Sequence, residues 1–479
     1  MRRPAGILLG IFALMGILVA LQVSIHKPKP QIAKVSRPVT VDYGTKRQII
    51  RGFGGSTAWL GSLTTQQATA LFNQTNGLGL SILRVRIDPQ GSASNNWVTS
   101  QWTDELTNAT EAVAANPNAI VMATPWTPPP AFKTGSATGE PYANCNNGLP
   151  QGYCGGSLDP SHYADYASYL KDFIDYFRSN GVHLYAISIQ NEPDASVQYE
   201  SCFWSENSYL YNHTSNAGSA MDRWIAGNAS VVTATGTKLM MPESENFNTN
   251  FATDSLNDPN AASKISIIAG HIYGGNPFYY TQAENAGKEV WMTEHLLNAS
   301  GSSWEHFLNP SGSSSTIRDA ISAAEEVHNS MVTGQYNAYV WWWIWNDPAA
   351  AEGVTYGLIN NSTTNPAPTY FGDAIGQFSK FVQPGYYRYN ISGSPSSGIY
   401  VSAYAGADNA GTAHYVIVAI NENSTAVSQT FTIDNATVTS MTPYQTNSAG
   451  GLKPQPAVSV SGGTFTYNLP AQSITTFAQ

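Results

Sequence analysis

The stretch Leu184-Tyr-Ala-Ile-Ser-Ile-Gln-Asn-Glu-Pro-Asp194 is an apolar run with β-branched residues that stops abruptly at Glu192-Pro193. It predicts a buried parallel strand. Because Pro193 cannot donate a ladder hydrogen bond and favours an extended residue before it, we expect the strand to end with an extended Glu192 at its rim. A second apolar run, Lys288-Glu-Val-Trp-Met-Thr-Glu294, also ends in a glutamate. Two glutamates at the carboxyl ends of parallel strands are typical of the glycosidase pair of an α/β barrel.

The rest of the chain repeats this strand pattern. From about residue 50, short apolar runs alternate with longer amphipathic stretches, as in repeated βα units. The eight predicted strands begin near Gly52–Gly55, Ile82–Ile87, Ala119–Thr124, Leu184–Gln190, Lys238–Met241, Ile265–Ile272, Glu289–Thr293 and Ala338–Ile344. The predicted fold class is therefore α/β, a (β/α)8 TIM barrel over residues 39–384.

The pattern changes after Pro384-Gly385, where short alternating strands are separated by turn signals and no helix-length period appears. This change predicts an attached antiparallel β-sandwich side domain over residues 385–479. The strand-like residues 39–43 are expected to join that domain rather than the barrel. No Gly/Ser-rich or charged linker separates the two parts, so we expect them to pack together.

The N-terminal residues 1–25 carry Arg2-Arg3 followed by an apolar run, which predicts an export signal. The run is close to the roughly 20 residues that span a bilayer, and no clean cleavage site follows it. A cleaved signal peptide and an uncleaved membrane anchor both stay open. Residues 26–38 form a basic, proline-bearing spacer. We expect a secreted or periplasmic protein, or one anchored to a membrane through this segment.

Composition narrows the class of partner. Charged residues make up 11% of the 479-residue chain and its net charge is −10, so no basic field exists for nucleic acid. The 12 Trp and 26 Tyr suit an uncharged polysaccharide, because flat rings stack on the apolar faces of sugars. We expect a monomer. No residues show metal-ligand spacing, and neither a metal nor a cofactor is predicted.

The three cysteines are too few for a disulfide framework. Cys145 and Cys154 flank a glycine-containing loop, and a disulfide between them is plausible if the protein is exported. Cys202 is then expected to be a buried free thiol.

Several motifs together resemble glycoside hydrolase family 30. They are Asn191-Glu192-Pro193, Thr293-Glu294, Arg51-Gly-Phe-Gly-Gly55, Ala58-Trp59-Leu-Gly61, Gly79-Leu-Ser-Ile-Leu-Arg84, Pro125-Trp126-Thr-Pro-Pro129, Gly270-His-Ile-Tyr-Gly274 and Phe378-Ser-Lys-Phe-Val382. The resemblance covers nearly the whole chain after residue 40. Within the family the chain is most similar to the bacterial glucuronoxylanases, which cut β-1,4-xylan at places marked by glucuronic acid branches.

The resemblance implies roles for individual residues. Glu192 is expected to be the acid/base, with a raised pKa, and Glu294 the nucleophile, kept ionised by surrounding donors. Arg84 is expected beside the nucleophile. His271 is more readily explained as a packed neighbour than as a catalyst. The predicted substrate-binding residues are Asn191, Trp126, Tyr273, Trp341, Trp345, Arg84 and Trp59.

One departure from the resembled enzymes concerns substrate choice. Where the glucuronoxylanases have an arginine that grips the glucuronate carboxylate, this chain has Trp345, and the segment 346–353 contains two acids and no Arg or Lys. The sequence therefore predicts an exported retaining endo-β-1,4-xylanase that does not depend on glucuronic acid branches. Alternatives are the same mechanism on glucuronoxylan alone, on a β-1,6-glucan or galactan or on short oligosaccharides, and a non-catalytic carbohydrate-binding protein.

Overall fold

The computed structural model describes residues 38–90, 98–135, 141–145, 148–204, 219–297, 316–345, 357–408 and 410–479. The predicted export segment, the spacer up to residue 37 and the acidic segment 346–353 lie outside these ranges. Within these ranges, no helix is both long enough and apolar enough to cross a membrane.

The elements follow each other in the alternating order that the sequence predicts. The strands are β1 (Val39–Ile49), β2 (Gly52–Ser56), β3 (Ile82–Ile87), β4 (Ile120–Pro125), β5 (Lys133–Thr134), β6 (Ser157–Leu158), β7 (Leu184–Ser188), β8 (Lys238–Ser244), β9 (Ile265–His271), β10 (Glu289–Glu294), β11 (Ala338–Trp343), β12 (Tyr387–Gly393), β13 (Ile399–Ala407), β14 (Ala413–Asn421), β15 (Val427–Asp434), β16 (Ser440–Asn447), β17 (Gly450–Pro454), β18 (Val458–Ser459), β19 (Thr464–Leu469) and β20 (Ser473–Ala478). The helices are α1 (Thr65–Phe72), α2 (Ser100–Ala115), α3 (Tyr163–Ser179), α4 (Ala220–Asn228), α5 (Ser230–Thr233), α6 (Asn250–Asn257), α7 (Pro259–Ala262), α8 (Thr281–Asn285), α9 (Ile317–Val332) and α10 (Tyr370–Ser379).

Eight parallel strands close a barrel in the order β2-β3-β4-β7-β8-β9-β10-β11, with β11 pairing back to β2. The TIM-barrel prediction is confirmed. The glycines of β2 are needed for closure, because a Cβ on Gly54 would lie 2.0 Å from the carbonyl oxygen of Ile82 on β3. No side chain fits at that approach, so this strand has the glycine-rich sequence Gly-Phe-Gly-Gly.

The barrel interior is filled by one side chain or two from each of seven strands. These residues are Ile82, Met122, Ala186, Met240, Ile267, Ala269, Trp291, Ala338 and Val340. Because strand side chains alternate, the residue two positions after each of them points into the carboxyl mouth of the barrel unless a bulge intervenes. That rule places Arg84, Thr124 and His271 at the mouth.

The helices surround the barrel and are built as the sequence predicts. In α3, apolar residues recur at helical spacing and bury Tyr166, Leu170, Phe173 and Phe177 against the strands. The chain leaves this helix through Gly181 at φ +86°, a left-handed conformation that glycine adopts without a steric penalty.

The side domain is a ten-stranded sheet that includes β1. That strand pairs antiparallel with β12, through Val39 opposite Gly393, and parallel with β15, through Val39 opposite Phe431. The predicted antiparallel side domain is confirmed. Hydrogen bonds join its ten strands into a single sheet, in which β1 and β15 form a parallel pair.

The two faces of this sheet have different partners. On β14, Val416, Val418 and Ile420 belong to the large apolar core that continues into the barrel helices, whereas Ile417 and Ala419 belong to the side domain's own core. This two-residue period makes the sheet a layer buried on both sides. The side domain is therefore a structural part of the barrel's helical layer.

Polar contacts at the same boundary are fully buried. The Gln377 side chain in α10 donates to Thr446 Oγ1 at 2.9 Å, and Thr476 Oγ1 donates to the Gln377 carbonyl oxygen at 2.7 Å. Because buried polar groups without partners are costly, these bonds specify one docking position.

The cysteine predictions are confirmed. Cys145 and Cys154 form a disulfide with their Cα atoms 5.5 Å apart. Cys202 is free and buried.

A chain shortened to end at Val382 is expected to lose solubility. It exposes the α10 face and leaves residues such as Phe378 without their side-domain partners, and each large apolar side chain buried there contributes about 1.5–3 kcal/mol. Soluble yield and melting temperature, compared with those of a chain spanning residues 38–479, measure the effect. A soluble, fully active barrel would contradict this interpretation.

Candidate active site

The charged residues of the site come from the carboxyl ends of neighbouring barrel strands. Arg84 lies on β3, Glu243 near the end of β8, His271 at the end of β9 and Glu294 at the end of β10. Glu192 lies four residues beyond the last residue of β7. The carboxyl end of the strands is where TIM barrels place their chemistry.

The backbone at Glu192 differs from the sequence prediction. Its φ is +45°, in the left-handed region, and the residue is not extended. The reason is a hydrogen bond in which the Glu192 N–H donates to the Glu243 carbonyl oxygen at 2.9 Å, which turns the chain towards β8. Glu243 itself has a φ of +56°. Two non-glycine residues in this region are strained by about 1–3 kcal/mol each, and such strain is characteristic of functional sites.

Both carboxylate oxygens of Glu294 accept hydrogen bonds. Arg84 Nη1 donates to Oε2 at 2.5 Å, and the Tyr273 hydroxyl donates to Oε1 at 3.0 Å. The pKa of Glu294 is raised, because burial outweighs the opposing charges of His271 and Arg84. With donors on both oxygens, the carboxylate is held in a fixed orientation.

Glu192 is held from the opposite side. The Tyr199 hydroxyl donates to its Oε2 at 2.8 Å, and His271 Nδ1 lies 3.1 Å from its Oε1. One oxygen of Glu192 and one of Glu294 lie within 4.8 Å of each other. The two carboxylates therefore face each other across a short gap.

The pKa of Glu192 lies below its usual value, contrary to the raised pKa expected from its role. Burial raises this pKa, but the hydrogen bond and charge of His271 and the hydrogen bond from Tyr199 together lower it by a larger amount. His271 explains this difference: burial lowers its pKa, yet Glu294, Glu192 and Glu243 together raise it to about 9. The neighbouring carboxylates therefore favour the protonated form of the imidazole, and its charge favours the ionised form of Glu192.

Arg84 is buried and contacts several strands. Besides Glu294, it donates through Nη2 to Asn191 Oδ1 at 2.7 Å and lies 3.2 Å from Glu243 Oε1. Its guanidinium carbon lies 4.6 Å from the centre of a Trp126 ring. The bond to Arg84 fixes the amide of Asn191 next to the acid/base candidate.

Three tryptophans predicted to bind substrate are not placed to stack on a sugar. Trp126 is 1% exposed and packs under Arg84 and Trp342. Trp341 is fully buried against Phe371 of α10, on the outside of the barrel. Trp345 is 6% exposed and belongs to the core between the barrel and its helices. These positions correct the predicted roles, because a stacking platform needs an open ring face.

Trp342, rather than Trp341, points towards the mouth of the barrel. It follows the inner-layer residue Val340 by two positions, and it clusters with Trp126 and Ala58. Regular strand alternation after Val340 accounts for this position, whereas the expected role of Trp341 rested on the family resemblance.

Trp59 is the most exposed of the described tryptophans at this end. Its side chain is 36% exposed, its φ is +61°, and its ring lies over the Arg86 guanidinium at 4.9 Å. Arg86 is in turn fixed by a bidentate contact with Glu200. This position is open to substrate, and the role of Trp59 in substrate binding stays a prediction.

The sequence reasoning missed three residues of this site: Tyr199, Glu243 and Trp342. Glu243 carries the same signal as Glu192, a carboxylate beside a proline at the end of an apolar strand, and this signal was available in Met240-Met-Pro-Glu243. Nothing in the sequence marks Tyr199, because it lies in a loop and reaches Glu192 only through space.

The spacing of Glu192, His271 and Glu294 would suit a metal ion, since one ligand atom of each lies within 4.8 Å of the others. However, all four carboxylate oxygens already contact Arg84, His271 or a tyrosine hydroxyl. Arg84 supplies the positive charge at Glu294. We therefore interpret the group as a carboxylate pair for acid/base and nucleophilic chemistry.

The chain is similar to known glycoside hydrolases over most of its length. The glucuronoxylanase XynC of Bacillus subtilis (strain 168) is 36% identical over 447 residues, which cover 92% of this chain and 91% of that protein. The crystal structure of the family 30 subfamily 8 xylanase Xyn30A from Clostridium acetobutylicum is 37% identical, with a TM-score of 0.75, covering 92% of this chain and 99% of that one. A family 30 endoxylanase from Clostridium papyrosolvens C71 is 34% identical with a TM-score of 0.74, over the same shares of the two chains.

Residues 98–388 match the family described as "Glycosyl hydrolase family 30 TIM-barrel domain". This match, the barrel and the paired glutamates set aside the alternative of a non-catalytic carbohydrate-binding protein. The chain is a glycoside hydrolase and belongs to glycoside hydrolase family 30.

Proposed function

We propose that the protein is an exported, retaining endo-β-1,4-xylanase that cuts xylan without needing a glucuronic acid branch. The observation that carries this proposal is the facing pair of glutamates, whose nearest oxygens lie within 4.8 Å. Retaining glycosidases hold their two carboxyl groups about 5–5.5 Å apart, whereas inverting enzymes leave about 6.5–9.5 Å for a water molecule.

In the first step Glu294 attacks the anomeric carbon, and the glycosidic bond breaks as Glu192 gives a proton to the leaving oxygen. Arg84 and Tyr273 hold the attacking carboxylate in one orientation, so little reorganisation is needed. The product is a covalent ester between the sugar and Glu294.

In the second step Glu192 takes a proton from water, and the resulting hydroxide oxygen attacks the same carbon. The ester bond to Glu294 breaks, and the configuration of the sugar is restored. Asn191, fixed by Arg84, lies next to Glu192 and is suited to bind a hydroxyl of the sugar undergoing reaction.

The substrate class rests on relatives. Two proteins similar to this chain over more than nine-tenths of its length are named a glucuronoxylanase and a xylanase. Xylan is therefore the polymer that we assign to this cleft.

The proposal that no glucuronic acid branch is needed rests on Lys133 and Arg388, the two cations that could replace the missing arginine. Both lie among the described residues, and neither is free to bind a carboxylate. The Lys133 ammonium donates to Thr127 Oγ1 and to the Ser201 carbonyl oxygen, both at 2.7 Å, and is buried. Arg388 lies on β12 of the side domain, where it donates to Gln48. A charged hydrogen bond to a carboxylate is worth about 1.5–3 kcal/mol, and the Trp345 indole offers no such bond.

Export is supported by the disulfide between Cys145 and Cys154, because disulfides persist in oxidising compartments. We propose that the N-terminal segment directs the chain out of the cytoplasm and leaves it secreted, periplasmic or membrane-anchored.

The substrate proposal is tested by digesting glucuronoxylan, unsubstituted linear xylan and β-1,6-glucan in parallel and sequencing the products. We expect comparable rates on the two xylans, with branches at varied distances from the new reducing ends, and no product from the glucan. A Glu294→Gln variant controls for contaminating activity. Products that all carry a branch at one fixed distance, with linear xylan left untouched, would show that a glucuronate clamp exists.

Removing the hydroxyl of Tyr199 is expected to move the alkaline limb of kcat/KM to higher pH. That hydroxyl bonds the ionised form of Glu192, so its loss raises the pKa at which the acid/base gives up its proton. In a Tyr199→Phe variant we expect the limb to shift by about 0.5–1 pH unit, because the net contribution of one hydrogen bond corresponds to a pKa change of that size. Tyr279, an exposed tyrosine after β9, offers a matched Tyr279→Phe control with no shift expected. A limb that stays in place in Tyr199→Phe would show that the contact does not affect the acid/base.

A further inference from the structure

A third carboxylate, Glu243, lies beside the two glutamates and takes no part in the two steps proposed above. It is fully buried near the end of β8. Its Oε2 accepts a hydrogen bond from Thr124 Oγ1 at 2.9 Å. Its Oε1 lies 3.2 Å from Arg84 Nη2 and 3.9 Å from His271 Nε2. The carboxylate thus faces both cationic side chains of the site.

Among the residues that the structure describes, neither Glu243 Oε1 nor His271 Nε2 makes a hydrogen bond, although Glu243 Oε1 forms an ion pair with Arg84. A buried polar atom left unpaired costs about 1–3 kcal/mol, and a displacement of roughly 1 Å would bring these two within bonding distance. The arrangement is that of an N–H directed at a carboxylate.

The carboxylates around the ring determine which of its nitrogens carries a hydrogen. Glu243 Oε1 and Glu294 Oε2 lie 3.9 and 4.0 Å from His271 Nε2, so a lone pair on that nitrogen would face two anions. Nε2 must therefore be protonated. A second proton then lies between His271 Nδ1 and Glu192 Oε1, which are 3.1 Å apart.

We propose that Glu243 is a positioning residue that fixes the Nε2–H form of His271 and so keeps one proton between His271 and Glu192. This inference rests on the acid/base role of Glu192 proposed above. The proton on this pair is the one that the leaving group receives.

The charges in the site show why Glu243 holds that proton. With the shared proton present, Arg84 contributes one positive charge, Glu243 and Glu294 two negative charges, and the His271–Glu192 pair none. The buried cluster has a net charge of −1, and losing the proton would make it −2. Replacing Glu243 by a neutral residue removes one negative charge and makes the proton easier to lose.

The reaction uses this proton without any net loss. As the glycosidic bond breaks, the Nδ1–H bond of His271 breaks and an O–H bond forms at Glu192. That O–H bond breaks in turn when the leaving oxygen takes the proton, and the imidazole is left neutral. In the second step the proton released by the attacking water returns through Glu192 to the pair.

Other ionisable groups around His271 are accounted for. Glu192 after β7 and Glu294 on β10 face the ring directly, Arg84 on β3 contacts Glu243 and Glu294, and Tyr273 lies 6.1 Å from the ring between ring centres. Asp194 and Glu245 are more exposed acids whose own pKa values are raised chiefly by burial. Burial also favours the neutral form of Glu243, but Arg84 and His271 lower its pKa to about 2, so its charge is present throughout the neutral range.

The test measures kcat/KM on xylan against pH for the wild type and for Glu243→Gln, which keeps the size of the side chain. The alkaline limb is expected to move to lower pH by about one unit or more, opposite in sign to the Tyr199→Phe shift. Glu243→Asp, which keeps the charge, should restore most of the limb position. Thr124→Val removes the hydroxyl that donates to Glu243 and accepts from Arg84 but leaves the charge of Glu243 in place, so it should lower the rate without moving the limb.

A folded Glu243→Gln enzyme whose limb is unchanged would overturn the proposal, as would a Glu243→Asp shift of equal size. The second measurement is nitrogen NMR of the wild type, with the His271 signals assigned by their loss in His271→Gln. Protonated Nε2 and a shared proton at Nδ1 are expected up to about pH 9. A ring with unprotonated Nε2 at neutral pH would overturn the proposal, even if the substrate were not xylan, because this measurement needs no turnover.

Discussion

The buried guanidinium of Arg84 is the interaction on which the rest of the site depends. A fully buried cation is unfavourable unless it is paired and hydrogen-bonded, and here Glu294, Glu243 and Asn191 together meet that requirement. These partners come from three other parts of the barrel. Removing any one of them leaves a charge or an amide unsatisfied, so the barrel closes with its carboxylates in a single arrangement.

This arrangement explains how the chain tolerates left-handed backbone at both Glu192 and Glu243. Each residue is held by its side chain in the charged cluster, and a backbone hydrogen bond of 2.9 Å joins one directly to the other. The strain is offset by contacts that only this geometry provides. Catalysis benefits because the charged groups are already oriented before substrate arrives. The side sheet adds rigidity from outside, since it completes the core behind the barrel helices.

The sequence was sufficient for the fold and for the two glutamates that the structure brings together. Strands and helices follow from local periodicity, and Glu192 and Glu294 were selected because each ends an apolar run and matches a motif of the resembled family. The features it did not predict depend on register and distance. A shift in strand pairing occurs between Met292 and Glu294, and it brings Glu294 to the mouth where alternation from the inner-layer residue Trp291 would place Thr293. The raised pKa of His271 could not be predicted either, because it results from carboxylates that lie on or after three different strands.

We propose that Glu294 forms a covalent bond to the sugar while its neighbours remain unmodified. This can be tested by incubating the enzyme with a 2-fluoro xylobioside bearing a good leaving group and identifying the labelled peptide by mass spectrometry. Because the fluorine slows breakdown of the ester, we expect a disaccharide mass on the peptide that contains Glu294, and none in Glu294→Gln. A label on Glu192 or Glu243, or products of inverted configuration with no covalent adduct, would contradict it.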